Sequence, residues 1–245
     1  MSFTDKVALI TGADGGIGAA LAARLADGGA RLVLHSADAD GLAKLVAEHG
    51  WAADRVLTSA HDVTDAAAVD AAVADAVERF GRIDYLLNVA GVAYFGGILN
   101  TDAEMWRRTL DINLTGYFLT ARAVLPHMKE AGDGFVVNMS SIWGRRAAAP
   151  GAMLAYSVSK WGVEGLTKSL AAEARPWGVR VSSLVLDKVD TAFRNNMIPH
   201  VGDFTPEQLG RMLSAEDVAD ATVAVLTSSR RAHAATIELD AWQWG

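Results

Sequence analysis

Tyr156 and Lys160 stand four residues apart in Tyr-Ser-Val-Ser-Lys. On a helix that spacing puts both side chains on one face. An ammonium beside a phenol favours the phenolate and lowers its pKa from about 10. A tyrosine tuned in this way acts as general acid or base near neutral pH. The pair alone is weak, since chance places roughly 0.1 such pairs in a chain of this composition. Cysteine is absent, and the six histidines are scattered without an H-x-x-x-H or carboxylate cluster. Neither a thiol nucleophile nor a zinc site is expected, and the metal assignment is none.

A second feature gives the pair company. Residues 7–11 read as a buried strand and run into Gly12-Ala13-Asp14-Gly15-Gly16-Ile17-Gly18, with a helix at once after. One glycine permits the tight turn, one lets backbone approach a pyrophosphate, and one lets helix and strand pack closely. The helix N-terminus offers N–H groups and positive dipole to an anion. The spacing is Gly-x-x-x-Gly-x-Gly, not Gly-x-Gly-x-x-Gly. In that pattern and in its length the chain resembles the short-chain dehydrogenase/reductase family, in its single-domain form.

The resemblance implies a tetrad. Ser141, in Asn138-Met139-Ser140-Ser141, matches the family serine, and Asn113, in Asp111-Ile112-Asn113-Leu114, matches its helix asparagine. With Tyr156 and Lys160 all four positions are filled. Relatives hold the substrate oxygen between serine and tyrosine while hydride passes to or from nicotinamide. Their asparagine supports a water that leads to the lysine, and the lysine also bonds the nicotinamide ribose. The implied cofactor is NAD or NADP, with the pyrophosphate on Gly12, Asp14, Gly15, Gly16, Ile17 and Gly18. Asp62 and Val63 match the adenine contacts, Asn88, Ala90 and Gly91 the segment under the ribose, and Val189 and Thr191 the carboxamide contacts.

An acid at the end of the second strand hydrogen-bonds the ribose and repels a 2′-phosphate, whereas arginine attracts it. Here Ser36 stands at the acid position and Ala37 at the arginine position, with Asp38 two residues late but within reach of the ribose. Asp14 and Gly15 stand where NADP users often place a basic residue. NAD is preferred on these grounds.

The chain departs from its family in two places. Leu186-Asp187 replaces Pro-Gly ahead of Val189 and Thr191. Asp187 or Asp190 is then either a carboxylate near the ring, favouring the oxidised cofactor, or a solvated loop charge. The Ser141–Tyr156 spacing of 15 exceeds the usual dozen or so, which predicts a small insertion around 145–150.

These residues need a frame. Short apolar runs at 7–11, 31–35, 55–58, 83–89, 135–140, 179–186 and 236–239 read as strands, most of them buried on both faces. Helical periodicity fills 17–26, 42–49, 66–80, 103–128 and 153–174. Asp65 and Asp102 sit at N-cap positions, and Gly50, Gly81 and Gly132 at C-termini. The alternation predicts an α/β fold, a Rossmann-like doubly wound parallel sheet of about seven strands with helices on both faces. One dinucleotide-binding domain over 1–245 is expected. Only 191–212, with Pro199, Gly202, Pro206 and Gly210, breaks the rhythm, and it reads as a substrate lid.

Tyr94, Trp143, Arg145, Met153 and Phe193 are the substrate candidates, and with Phe95 they give a largely apolar cleft. Arg145 and Arg146 either receive a carboxylate or phosphate or form a solvated turn. Net charge is 22 − 29 = −7, without a basic block, so nucleic acid is not an expected partner. No apolar stretch approaches membrane-spanning length and no secretory leader is seen, so a cytoplasmic protein is expected. Trp242 and Trp244 at the terminus predict burial against a second subunit or over a neighbouring active site. The resemblance likewise implies a homo-oligomer, a tetramer or dimer. The leading reading is an oxidoreductase on a small secondary alcohol or ketone. The alternatives are a 3-oxoacyl-thioester reductase, which needs basic surface near the cleft, and a cofactor-sensing protein without turnover.

Overall fold

A computed structural model of the chain describes residues 2–193 and 204–244. Seven strands run through it: β1 (Val7–Thr11), β2 (Arg31–Ser36), β3 (Val56–Ala60), β4 (Tyr85–Asn88), β5 (Gly134–Ser141), β6 (Val179–Leu186) and β7 (Thr236–Leu239). They form one all-parallel sheet in the order β3-β2-β1-β4-β5-β6-β7. The helices are α1 (Gly16–Asp27), α2 (Ala39–His49), α3 (Ala66–Phe80), α4 (Ala103–Leu110), α5 (Gly116–Ala131), α6 (Leu154–Ala174), α7 (Pro206–Leu209) and α8 (Ala215–Leu226). The chain therefore has the expected Rossmann-like α/β fold. None of the described helices is long and apolar enough to cross a membrane.

Burial explains the strand sequences. Every residue of β1 and β5 is buried, because helices cover both faces. Alternate residues feed two cores. Ala8, Ile10, Leu32, Leu34 and Val137 pack with Leu21 and Leu25 of α1 and Val218 of α8. Val7, Leu9, Val33 and Val136 pack with Val73 of α3 and Val124 of α5. In the edge strand β3 only Val56 is buried, and the residues after it alternate between half-buried and exposed.

Local signals set the helix ends. Asp65 accepts from the N–H groups of Ala67 and Ala68, and Asp102 from those of Glu104 and Met105. Gly50, Gly81 and Gly132 end α2, α3 and α5 at φ of 61°, 77° and 63°.

One element differs from expectation. The stretch 103–128 is not a single regular helix: α4 and α5 are joined by a widened turn, Asp111–Thr115, with π-type hydrogen bonding. Its cause is packing. Asn113 is pulled into the protein and fully buried, and a Cβ on Gly116 would lie 2.7 Å from a Val63 methyl. Such bulges cluster at functional sites.

The strand order reverses between β1 and β4. In open α/β sheets ligands bind in the crevice at that point, beyond the strands' carboxyl ends.

Candidate active site

A cleft of about 650 Å³ opens there. Its floor is the glycine turn. Gly12 sits at φ 64°, and a Cβ on it would come within 2.9 Å of Ala90 Cα. A Cβ on Gly18 would meet the Gly12 carbonyl at 2.1 Å, so only glycine lets α1 start so close to β1. A Cβ on Gly16 would meet Thr191 Cγ2 at 2.7 Å. Gly15 caps α1 without a side chain, so the first N–H groups of the helix face the cleft beside Gly16, Ile17 and Gly18. That cradle fits a pyrophosphate.

Ser141 ends β5, and its hydroxyl accepts from the N–H of Trp143 at 3.3 Å. Tyr156 and Lys160 lie in the first two turns of α6 and both line the cleft. Lys160 is 4% exposed, and its Nζ donates to the Met139 carbonyl at 2.8 Å. The ammonium stands 5.6 Å from the centre of the Tyr156 ring and 5.3 Å from that of Tyr117. Burial pushes Lys160 down to about 7, opposed by the Glu164 carboxylate. Burial pushes Tyr156 up to about 12, opposed by the Ser141 hydroxyl. The phenol is thus raised, where the Tyr–Lys spacing predicts that it is lowered. Desolvation of the phenol outweighs the Ser141 hydrogen bond, and the neighbouring lysine itself holds its proton weakly.

Asn113 is tied to protein on both sides. Its Oδ1 accepts from the Val92 N–H at 2.8 Å, and its Nδ2 donates to the Val92 carbonyl at 2.9 Å and to Ser159 Oγ at 3.0 Å. Ser159 passes the link to the Tyr156 carbonyl at 2.7 Å. The widened turn thus braces the start of α6.

The other predicted residues divide. Asp14, Ala90, Gly91, Val189 and Thr191 line the cleft, as do Trp143, Met153 and Phe193. The rings of Phe193 and Tyr156 are 6.2 Å apart. Ser36, Asp38, Asp62 and Val63 sit at or just past the ends of β2 and β3, beyond the lined part of the cleft. Asp38 caps α2 through the Gly41 N–H at 3.0 Å. A Cβ on Gly41 would touch Asp38 Oδ2 at 2.9 Å and Asp14 Cβ at 3.1 Å, so two carboxylates flank this corner. Asp62 accepts from Thr64 and pairs with Arg108 Nη2 at 2.8 Å. Burial works against its charge, but those partners hold its carboxyl below the usual range.

Asn88, Arg145 and Tyr94 also lie off the cleft lining, as does Asn113. Asn88 points into the core, where its Nδ2 donates to Asn138 and its Oδ1 accepts from Thr120. A fully buried amide needs such partners, so it braces strand ends. Arg145 turns away to Glu238, at 3.1 Å, and Glu164, at 3.7 Å. Tyr94 yields its place to Phe95. The expected lid falls partly on 194–203, outside the described residues, but its end supplies Phe204, Leu209 and Met212 to the cleft wall. Sequence reasoning missed Lys188, Arg108 and Glu164. The last stands four residues beyond Lys160, a spacing that could have pointed to it. Among the described residues no group of three His, Cys, Asp or Glu side chains could hold a metal.

The family model described as short chain dehydrogenase matches residues 6–201. A trans-4-hydroxycyclohexanecarboxylate dehydrogenase of Sinomonas cyclohexanicum is 40% identical over 222 residues, 88% of this chain and 83% of that protein. The crystal structure of levodione reductase superposes with a TM-score of 0.87 at 34% identity, covering 99% of this chain and 98% of that one. A 3-ketoacyl-(acyl-carrier-protein) reductase from Brucella melitensis, complexed with NADH, gives 0.87 at 30% identity, covering 99% and 100%.

Proposed function

The chain belongs to the short-chain dehydrogenase family of NAD(P)-dependent oxidoreductases, and we propose that it interconverts a cyclic secondary alcohol and its ketone with Tyr156 as acid and base. The observation that carries this is Tyr156 over the glycine cradle, with Ser141 beside its hydroxyl and Lys160 buried behind it. The nicotinamide, when bound, supplies or accepts the hydride. Ser141 donates a hydrogen bond to the substrate oxygen. Tyr156 takes the hydroxyl proton during oxidation and returns it during reduction. Lys160 stabilises the phenolate while its proton is away. Thr191 and Val189 close the cleft above the turn.

The wall supports an uncharged ring as substrate. Phe95, Ile142, Trp143, Met153, Phe193 and Met212 give carbon surface, and Arg145 is committed to two carboxylates. A carrier-bound thioester finds less support, because it needs a basic mouth for an acidic carrier. Asp14 and Asp38 beside Gly41 support NAD over NADP, since two carboxylates repel a 2′-phosphate. The half-exposed Phe118, Val158 and Trp161 on α5 and α6 support self-association of a single-domain subunit.

The test is turnover across cyclic and acyclic secondary alcohols and ketones with both cofactors. The expected result is activity on ring substrates with NAD, abolished by Tyr156→Phe with cofactor affinity retained. Ala37→Arg should raise kcat/KM with NADP. Full activity of Tyr156→Phe overturns the acid–base assignment. Cofactor binding without turnover on any member favours a sensing role.

A further inference from the structure

Glu164 is a buried carboxylate without enough partners. It is 5% exposed, and its Oε1 has no hydrogen-bond partner among the described residues. Its Oε2 lies 3.7 Å from Arg145 Nε, too far for a good hydrogen bond. Burying a carboxylate costs several kcal/mol unless it is well paired. An apolar residue would fill the same place at less cost, so stability does not explain the acid.

Its position does. Tyr156, Lys160 and Glu164 follow at i, i+4 and i+8 along one face of α6, as a ladder of phenol, ammonium and carboxylate. Lys160 and Glu164 are both almost fully buried, one turn apart, where charges are weakly screened. Lys160 gives its hydrogen bond to a neutral carbonyl, not to an acid. The titratable groups that face it are Tyr156 and Glu164 from its own helix and Tyr117 from α5. Arg145, the cation nearest Glu164, is shared with Glu238 on β7.

We propose that Glu164 is the buried counter-ion that keeps Lys160 charged, and so a positioning residue for the proton transfer at Tyr156. This rests on Tyr156 being the acid and base. Without Glu164, Lys160 loses its proton more readily and supports the phenolate less. Tyr156 then ionises at higher pH. Direct repulsion between Glu164 and the phenolate acts the other way, but eight residues of helix separate them by about 12 Å, so it is the smaller effect.

The experiment compares kcat/KM for alcohol oxidation against pH in wild type, Glu164→Gln and Glu164→Asp, with melting curves for each. The expected result is an acid limb moved upward by about one pH unit in Glu164→Gln. Glu164→Asp should fall between, because it restores the charge at shorter reach. Where Glu164→Gln does not fold, Glu164→Asp carries the comparison. A lowered Tm with superimposable profiles makes the carboxylate merely structural and overturns the proposal. Tyr156→Phe, run alongside, separates the two readings: its retained activity removes the acid–base assignment, whatever Glu164 does.

Discussion

Lys160 stands 5.6 Å from the centre of the Tyr156 ring yet spends its hydrogen bond on the Met139 carbonyl. The lysine is held by backbone, not by the phenol, and burial lowers it from 10.5 to about 7. A lysine depressed in the folded state costs nothing above its unfolded value. The cost grows as pH falls from 10.5 toward 7 and is complete below that. Lys160→Met should therefore raise the melting temperature of the cofactor-free protein, and more at pH 6 than at pH 9. The same variant should lose about 10²-fold or more in turnover. An equal Tm gain at both pH values would mean that the lysine charge is not what burial penalises.

Gly16 and Thr191 give a steric test of the cofactor floor. Gly16→Ala puts a methyl 2.7 Å from Thr191 Cγ2 and 3.0 Å from its Cβ. The threonine has to move, and the segment above the turn moves with it. The expected result is a higher KM for the cofactor with nearly normal Tm, partly rescued by Thr191→Ala. Gly18→Ala meets backbone at 2.1 Å, which cannot yield in the same way. It should instead cost stability, about 3 kcal/mol by denaturant unfolding. Equal losses of stability in both variants would contradict the division.

The tail offers a third test. Trp244 packs edge-on against Phe204, with ring centres 5.8 Å apart, and lies 4.7 Å from Lys188 Nζ. Both neighbours line the cleft, and Lys188 also reaches Asp187 at 3.4 Å. Trp244 therefore props the wall opposite Tyr156 within its own subunit. Trp242, by contrast, is 91% exposed. Trp244→Ala should raise KM for a ring substrate by about two- to fivefold, the worth of an exposed cation–π contact. Trp242→Ala should leave KM unchanged. Identical KM values in the two variants would remove the prop.

Most of the frame was legible because periodicity and capping are local. The strands at 7–11, 179–186 and 236–239 fall where the apolar runs end, and Asp65 and Asp102 cap as their types suggest. The turn at Asp111–Thr115 was not legible, since its cause is Asn113 reaching Val92, 21 residues earlier in the chain. Arg145 misled for a similar reason. Two arginines near a cleft mouth suggest an anion, but Glu238 lies 93 residues on and meets Arg145 only because β7 closes the sheet beside β6. Asn88 matched a motif by position, while strand pairing with β5 turned its amide toward Asn138.

His35 supplies the last test, at the end of β2. It is 4% exposed, and neither ring nitrogen has a hydrogen-bond partner among the described residues. Its ring packs edge-on against His61, 4.4 Å away. Burial, and after it His61, lowers it to about 4 against the opposing pull of Asp62. Above 6.5 the imidazole is neutral in both folded and unfolded chains and costs no charge burial. As pH falls from 6.5 toward 4 the unfolded chain takes up a proton that the folded one refuses, so stability drains away. His35→Leu keeps the apolar contacts and removes the titration. Its melting temperature should fall less steeply than that of wild type between pH 6.5 and 4, with the curves running parallel above 7. Parallel curves throughout would place the acid sensitivity elsewhere, in carboxylates such as Asp62 that lose their partners on protonation.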